Sequence, residues 1–168
     1  MRHSIQRKDP GNEMHIVIAG SSGFIGSALI ELLLRDGHRV TRLVRSKPTD
    51  APAAPEHSLW DPYRELIDLE IIEQADAIIN LSGESVASRW TAKKKKAVLE
   101  SRIKSTALLT RAVSSAQTPP RIFISASAIG YYGKGGETWF DESSDRGEGF
   151  LADVCAEWEA AAMEVNNS

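Results

Sequence analysis

"MHIVIAGSSGFIGSALIELLLRDG", residues 14–37, decides the fold. Its opening run, Met14 to Ala19, is short, β-branched and halted by glycine, which is how a strand buried in a parallel sheet reads. Gly20, Gly23 and Gly26 follow, and then a segment whose Ile25, Leu29, Leu32 and Leu33 recur at helical spacing, with Gly37 as its C-terminal cap. Strand, glycine-rich turn and helix in immediate succession put a helix N-terminus, with its unpaired N–H groups, at the end of the strand.

Such a turn suits phosphate. Gly20 permits the tight bend, Gly23 lets the backbone approach a pyrophosphate, and Gly26 lets the helix lie close to the sheet. Ser21 and Ser22 add hydroxyl donors, and Phe24 and Ile25 complete the expected cofactor-binding turn. The spacing is G-x-x-G-x-x-G, one residue longer than G-x-G-x-x-G. A glycine triplet alone is weak evidence; the strand before it and the amphipathic helix after it point to a dinucleotide.

The end of the second strand, "RVTRLV" (39–44), selects the dinucleotide. An acid there hydrogen-bonds the ribose hydroxyls of NAD, whereas a basic residue accommodates the extra phosphate of NADP. Between Gly37 and Thr49 the chain has no acid but has Arg39, Arg42, Arg45 and Lys47. Arg45 falls where the strand should end, so NADP is expected and NAD is the lesser alternative.

The rest of the chain alternates in the same way. Residues 1–13 have no apolar period and read as a loose arm, leaving 14–168 as one Rossmann domain. The Pro/Ala-rich stretch 46–56 reads as a loop, with a third strand near "HSLW". "ADAIINL" (75–81) reads as the fourth strand, and Thr91 to Ser115 as a long helix offering Val98, Ile103, Leu108, Leu109 and Val113 to the core. "RIFISAS" (121–127) follows as the fifth strand, and the segment from Gly149 to Val165 is helical again. Alternation of strands and helices predicts an α/β, doubly wound parallel sheet covered on both faces, which would usually continue into a sixth strand beyond this point.

Composition narrows the partners. The 168 residues carry 20 basic and 23 acidic side chains, a net charge of -3, so no strong field favours nucleic acid or an anionic membrane. No apolar stretch approaches the roughly 18 to 20 residues of a membrane span, and the N-terminus is too polar for a signal-peptide core. A cytoplasmic protein with a small-molecule partner is expected. Cys155, the single cysteine, has no second thiol for a disulfide or zinc site, and the four histidines share no metal-ligand spacing, so no metal is expected. "KKKK" (93–96) reads as a solvated helix face without the interleaved aromatics of a nucleic-acid groove.

"GSSGFIG", "LWDP", "ADAIINLSGESV", "RW", "ESRIKST", "SASAIGYYG" and "GFLADVCAEWEAAA" occur in that order. With them the chain resembles the extended short-chain dehydrogenase/reductase superfamily, and more narrowly its epimerase branch once labelled cell-division-inhibitor-like, whose members carry a "WDP" and an "NLAGE" segment at these places. The resemblance runs from Met14 to about Val165. It implies that Asn80, Leu81, Ser82 and Gly83 pass beside the adenosine and its ribose, and that Arg102 reaches the cofactor from the long helix. It also implies a longer protein, of which this chain is the N-terminal portion. "LWDP" reads as a turn with Trp60 packed and Asp61 capping.

Short-chain dehydrogenases place Tyr-x-x-x-Lys on a helix, so that lysine lowers the tyrosine pKa and holds the ribose while tyrosine moves the proton. "YYGKGG" does not provide that spacing: Lys134 follows Tyr131 by three residues and Tyr132 by two, among glycines that oppose a helix. The helix after Gly149 offers Phe150 with Val154, or Leu151 with Cys155, in place of the pair. The catalytic candidates are therefore Ser127 at the end of the fifth strand and Tyr131 or Tyr132 in the loop beyond. Glu157 and Glu159 are expected to be exposed and Trp158 packed. A hydroxyl/carbonyl oxidoreductase or nucleotide-sugar epimerase is the first functional expectation, and a non-catalytic NADP-binding module the alternative.

Overall fold

A computed structural model describes residues 13–46, 55–134 and 136–167. The expected N-terminal arm lies outside them except for Glu13, as do Lys47 and most of the Pro/Ala-rich stretch.

Five strands form one sheet: β1 (His15–Ala19), β2 (Arg39–Val44), β3 (Glu56–Leu59), β4 (Ala77–Asn80) and β5 (Ile122–Ser125). Their order is β3-β2-β1-β4-β5, and every pairing is parallel. The chain moves outward from β1 to β3, then crosses back to β4 on the other side of β1, so the strand order reverses beside β1. In an open α/β sheet the crevice outside the carboxyl ends of the strands at such a reversal is where ligands bind.

The helices are α1 (Phe24–Arg35), α2 (Leu69–Glu73), α3 (Ala92–Ser115) and α4 (Phe150–Met163). Alternate residues of β1 serve opposite faces, as the pleat requires. Ile16 and Ile18 join Ile30 and Val40, with Leu29 and Leu33 of α1 packed against them. Val17 and Ala19 join Leu43, Trp60, Ile72, Ile78, Leu108 and Leu109 on the other side. A strand buried on both faces needs no alternation of polarity, which is why β1 reads as a continuous apolar run.

Three local expectations are corrected. The inward stripe of α1 runs through Gly26, Leu29, Ile30 and Leu33, whereas Ile25 is 66% and Leu32 47% exposed. The cause is Gly26: a Cβ there would lie 2.6 Å from the Gly20 carbonyl oxygen, so this is the point of closest approach and sets which face turns inward. On α3, Val98, Leu108, Leu109 and Val113 are buried as expected, whereas Ile103 is only half-buried and Ser105, Thr106, Thr110 and Ala112 complete the buried stripe. Glu159 of α4 is half-buried rather than exposed, while Glu157 is exposed and Trp158 buried as expected.

Segment ends differ by a residue or two from their sequence reading. Thr91 is the N-cap of α3, its hydroxyl accepting from the Lys94 N–H at 3.2 Å. α2 was not anticipated; Asp68 caps it by accepting from the Glu70 N–H. β5 carries Ile122 and Ile124 exposed at 41% and 50%, and its outer edge pairs with no strand among the described residues.

Candidate functional site

The turn after β1 is shaped by Gly20 and Gly26, where no side chain fits. Gly20 has φ +77°, and a Cβ on it would lie 2.4 Å from the Leu81 carbonyl carbon. The turn thus lies directly against the chain leaving β4, and only hydrogen fits between them. Gly23 is different: it is the N-cap of α1, makes no side-chain cap, and a Cβ on it would meet nothing nearer than the Gly20 oxygen at 3.4 Å. Protein packing does not demand glycine at position 23, and the missing side chain leaves the backbone open toward the cleft that Gly23 lines.

A cleft of about 510 Å³ opens at this point, at the carboxyl ends of β1, β2 and β4. The glycine turn forms one wall through Gly20, Ser21, Ser22 and Gly23, and β2 and its exit form another through Arg42, Val44 and Arg45. The exit of β4 supplies Leu81, Ser82, Gly83 and Glu84. The structure therefore brings together most of the cofactor residues expected from sequence. Phe24 and Ile25 do not line the cleft; they expose their side chains at the head of α1, in the first helical turn.

Sequence reading missed the third wall. Trp60, Pro62 and Tyr63 line the cleft from the exit of β3. Trp60 is buried, and Asp61 holds the bend by accepting from the Tyr63 and Arg64 N–H groups at 2.9 and 3.3 Å. "LWDP" is the expected turn, but it also closes the site. Its position beside β2 would have pointed to this, because β3 ends where β2 ends.

The β4 exit is fixed from below. Asn80 is fully buried; its amide donates to Thr106 Oγ1 at 2.8 Å, and its carbonyl oxygen accepts from the Ser82 N–H at 3.2 Å. Arg102 stands behind the same segment. Its Nη1 donates to the Glu84 and Val98 carbonyl oxygens at 3.0 and 3.1 Å, and its guanidinium lies 5.0 Å from the Trp158 ring centroid. Arg102 does not line the cleft; it braces the stretch that does. Burial lowers its pKa from the ordinary arginine value. Glu84, by contrast, is held below the usual carboxylate range by the Lys94 ammonium, 2.6 Å away.

The catalytic candidates lie elsewhere on the carboxyl side, beyond β5. Ser127 is exposed, and its hydroxyl donates to the Glu159 carboxylate of α4. Tyr131 and Tyr132 occupy a single 3-10 turn, Ile129–Tyr132, ended by Gly133 at φ +67°. Tyr132 stacks on Phe140 and donates its hydroxyl to the Asp141 carbonyl oxygen at 2.9 Å. Tyr131 packs edge-on against Tyr132, and its hydroxyl has no hydrogen-bond partner among the described residues.

Leu151 and Cys155, one of the two pairs that stand in place of a tyrosine and lysine, pack under Gly130 of that turn. Cys155 is buried, and that burial pushes its thiol up.

A parallel sheet whose strand order reverses at a glycine-lined cleft, with a helix N-terminus and two arginines at its wall, defines a Rossmann-type dinucleotide-binding fold. The chain belongs to the NAD dependent epimerase/dehydratase family, whose profile matches residues 16–153. It is 40% identical over 149 residues to an epimerase family protein of Mycobacterium leprae, covering 88% of this chain and 47% of that protein. Human epimerase family protein SDR39U1, solved with NADPH, superposes with a TM-score of 0.74 at 33% identity, over 89% of this chain and 48% of the human one. The nucleoside-diphosphate sugar epimerase of Corynebacterium glutamicum superposes with a TM-score of 0.76 at 32% identity, over 94% of this chain and 32% of that one. The chain thus spans about half the length of the curated relatives it matches.

Proposed function

We propose that this chain is the NADP-binding part of an oxidoreductase or nucleotide-sugar epimerase-like protein that acts on a small hydroxyl or carbonyl substrate. The observation that carries the reading is the cleft at the strand-order reversal, walled by an open Gly23 on one side and by Arg42 and Arg45 on the other. Its residues fit the cofactor: a pyrophosphate suits the uncapped start of α1, and a phosphorylated ribose suits the basic wall. NADP, when bound, supplies hydride transfer.

The chain's own residues bind and orient. The Gly20–Gly23 turn and the α1 amides would hold the pyrophosphate, Leu81 to Gly83 the adenosine side, and Arg45 the 2′-phosphate. Ser127, donating its proton to Glu159, presents lone pairs outward, an arrangement that receives a substrate hydroxyl better than it donates to a carbonyl.

A second reading, an NADP-binding module without turnover, is favoured by one observation: α4 offers Phe150 with Val154, or Leu151 with Cys155, where the tyrosine and lysine would stand.

Titration with NADPH and NADH, followed by tryptophan fluorescence, tests the premise common to both; if neither cofactor binds, both readings fall. Replacing Arg45 by Glu should weaken NADPH by about tenfold or more while changing NADH little. An unchanged preference would remove Arg45 from its role. Incubation with NADPH and a panel of carbonyl compounds then separates the two, because loss of reduced-nicotinamide absorbance excludes the silent module.

A further inference from the structure

We propose that Arg42 is a second reader of the NADP 2′-phosphate, and that Ser21 acts as its positioning residue. The proposal rests on the NADP reading above and concerns a pair that the glycine pattern does not single out.

Arg42 is out of place as a packing residue. In register it stands opposite Ile18, which is fully buried, and two residues beyond Val40, also buried beneath α1. On that face an aliphatic side chain would serve the sheet. Instead a half-buried arginine sends its Nε–H to the Ser21 hydroxyl oxygen at 3.0 Å, and Ser21 is itself only 2% exposed. This bond joins the second strand to the glycine turn across the wall of the cleft.

The rest of the guanidinium is uncommitted. Arg42 lines the cleft, and its two terminal nitrogens make no hydrogen bond to any described residue. Among the described residues no carboxylate pairs with it: Glu84, the acid lining the same cleft, is engaged by Lys94 at 2.6 Å. Arg39, the other arginine of the strand, lies toward the opposite end of β2 in a bidentate pair with Glu56. Partly burying an unpaired charge is unfavourable unless an anion completes it. A guanidinium anchored at Nε keeps the planar fork that matches two phosphate oxygens.

Position selects the phosphate. The pyrophosphate belongs to the start of α1, whereas the end of β2 reads the adenosine ribose. With Arg45 exposed one residue past the strand, two positive charges face a group carrying close to two negative ones. Ser21, expected from sequence to donate to phosphate, accepts from Arg42 and keeps its own hydroxyl proton.

Affinities of the naturally expressed protein for NADPH, NADH and 2′,5′-ADP test this, with Arg42→Leu, Arg42→Lys, Ser21→Ala and the Arg42→Leu/Ser21→Ala double variant. Circular dichroism first establishes that each is folded. R42L should weaken NADPH and 2′,5′-ADP tenfold or more and NADH less than twofold. R42K, which keeps charge but loses the Nε anchor and the fork, should recover only part of the loss. S21A should weaken NADPH severalfold alone and add nothing in the R42L background.

Equal loss of NADPH and NADH in R42L would reduce Arg42 to a support of the turn and overturn the proposal. So would a full additional S21A effect in the double variant. If R42L does not fold, the S21A and R42K results decide: an unchanged NADPH to NADH ratio in both overturns it. A wild-type protein without preference for NADPH would show that the NADP reading itself had failed.

Discussion

The Arg102 guanidinium occupies the space left by the missing side chain of Gly83: a Cβ at that glycine would lie 3.0 Å from Cζ. Two carbonyl oxygens and the Trp158 ring hold the guanidinium there, so it has little freedom to retreat. Arg102→Leu should therefore leave the Glu84 carbonyl without its Arg102 donor, while the Val98 carbonyl keeps the Ser101 hydroxyl, and loosen the β4 exit at a cost of about 1 kcal/mol. Because Arg102 braces the cleft without lining it, NADPH and NADH should weaken together. Thermal unfolding and the two titrations check this; selective loss of NADPH would instead put Arg102 on the phosphate.

Asn80 and Thr106 make the comparable test inside the core. Both are fully buried, and the Thr106 hydroxyl is the nearer of two acceptors for the Asn80 amide, the other being Ser125 Oγ at 3.5 Å. Thr106→Val keeps the shape and removes the acceptor, so denaturant unfolding should show a loss of about 1–3 kcal/mol. Asn80→Ala should cost a similar amount and also release the Ser82 N–H, weakening cofactor binding where Thr106→Val has less effect.

What was legible in the sequence was local. The β1-turn-α1 unit is written in adjacent residues, because the strand, the bend and the start of the helix each depend on their own dihedrals and burial. The inward face of α1 was misread by one residue because it depends on contact between Gly26 and the Gly20 carbonyl, a matter of how closely two segments approach. Tyr63 and Trp60 were not seen as cleft residues, since they reach it through the pairing of β3 with β2. The Arg42–Ser21 bond likewise spans 21 residues and leaves no periodic trace. α2, with five residues, is too short to declare a period, although Asp68 before it was a readable cap.

The acid side of the stability profile should carry a small contribution from Glu56. Arg39 donates to both its carboxylate oxygens, at 3.2 and 2.8 Å, and holds its pKa below the usual glutamate value. A depressed folded pKa means that the stabilisation is complete above the unfolded value, about 4.3, and is lost as pH falls through the lower folded one. Both side chains are more than two-fifths exposed, so the pair contributes less than about 1 kcal/mol. Glu56→Gln should lower Tm slightly at pH 7 and not at pH 3, and added salt should shrink the difference. A larger effect at pH 3 than at pH 7 would reverse the assigned sign.

Tyr131 and Tyr132 should separate cleanly when each loses its hydroxyl. Tyr132 uses its hydroxyl on the Asp141 carbonyl and its ring on Phe140, so Tyr132→Phe removes an anchor of the 140–144 segment at about 0.5–1.5 kcal/mol. Tyr131 has no such bond among the described residues, so Tyr131→Phe should leave Tm unchanged. If the protein turns over a carbonyl substrate with NADPH and Tyr131 moves the proton, Tyr131→Phe should lower kcat by about 10²–10⁴. The cofactor affinity should not move. Tyr132→Phe should show the opposite pattern, with reduced stability and a kcat changed by no more than a few-fold. Full activity in Tyr131→Phe, with kcat of Tyr132→Phe changed by no more than a few-fold, would exclude both tyrosines as the donor and leave Ser127, with Glu159 beside it, as the remaining proton-transfer candidate.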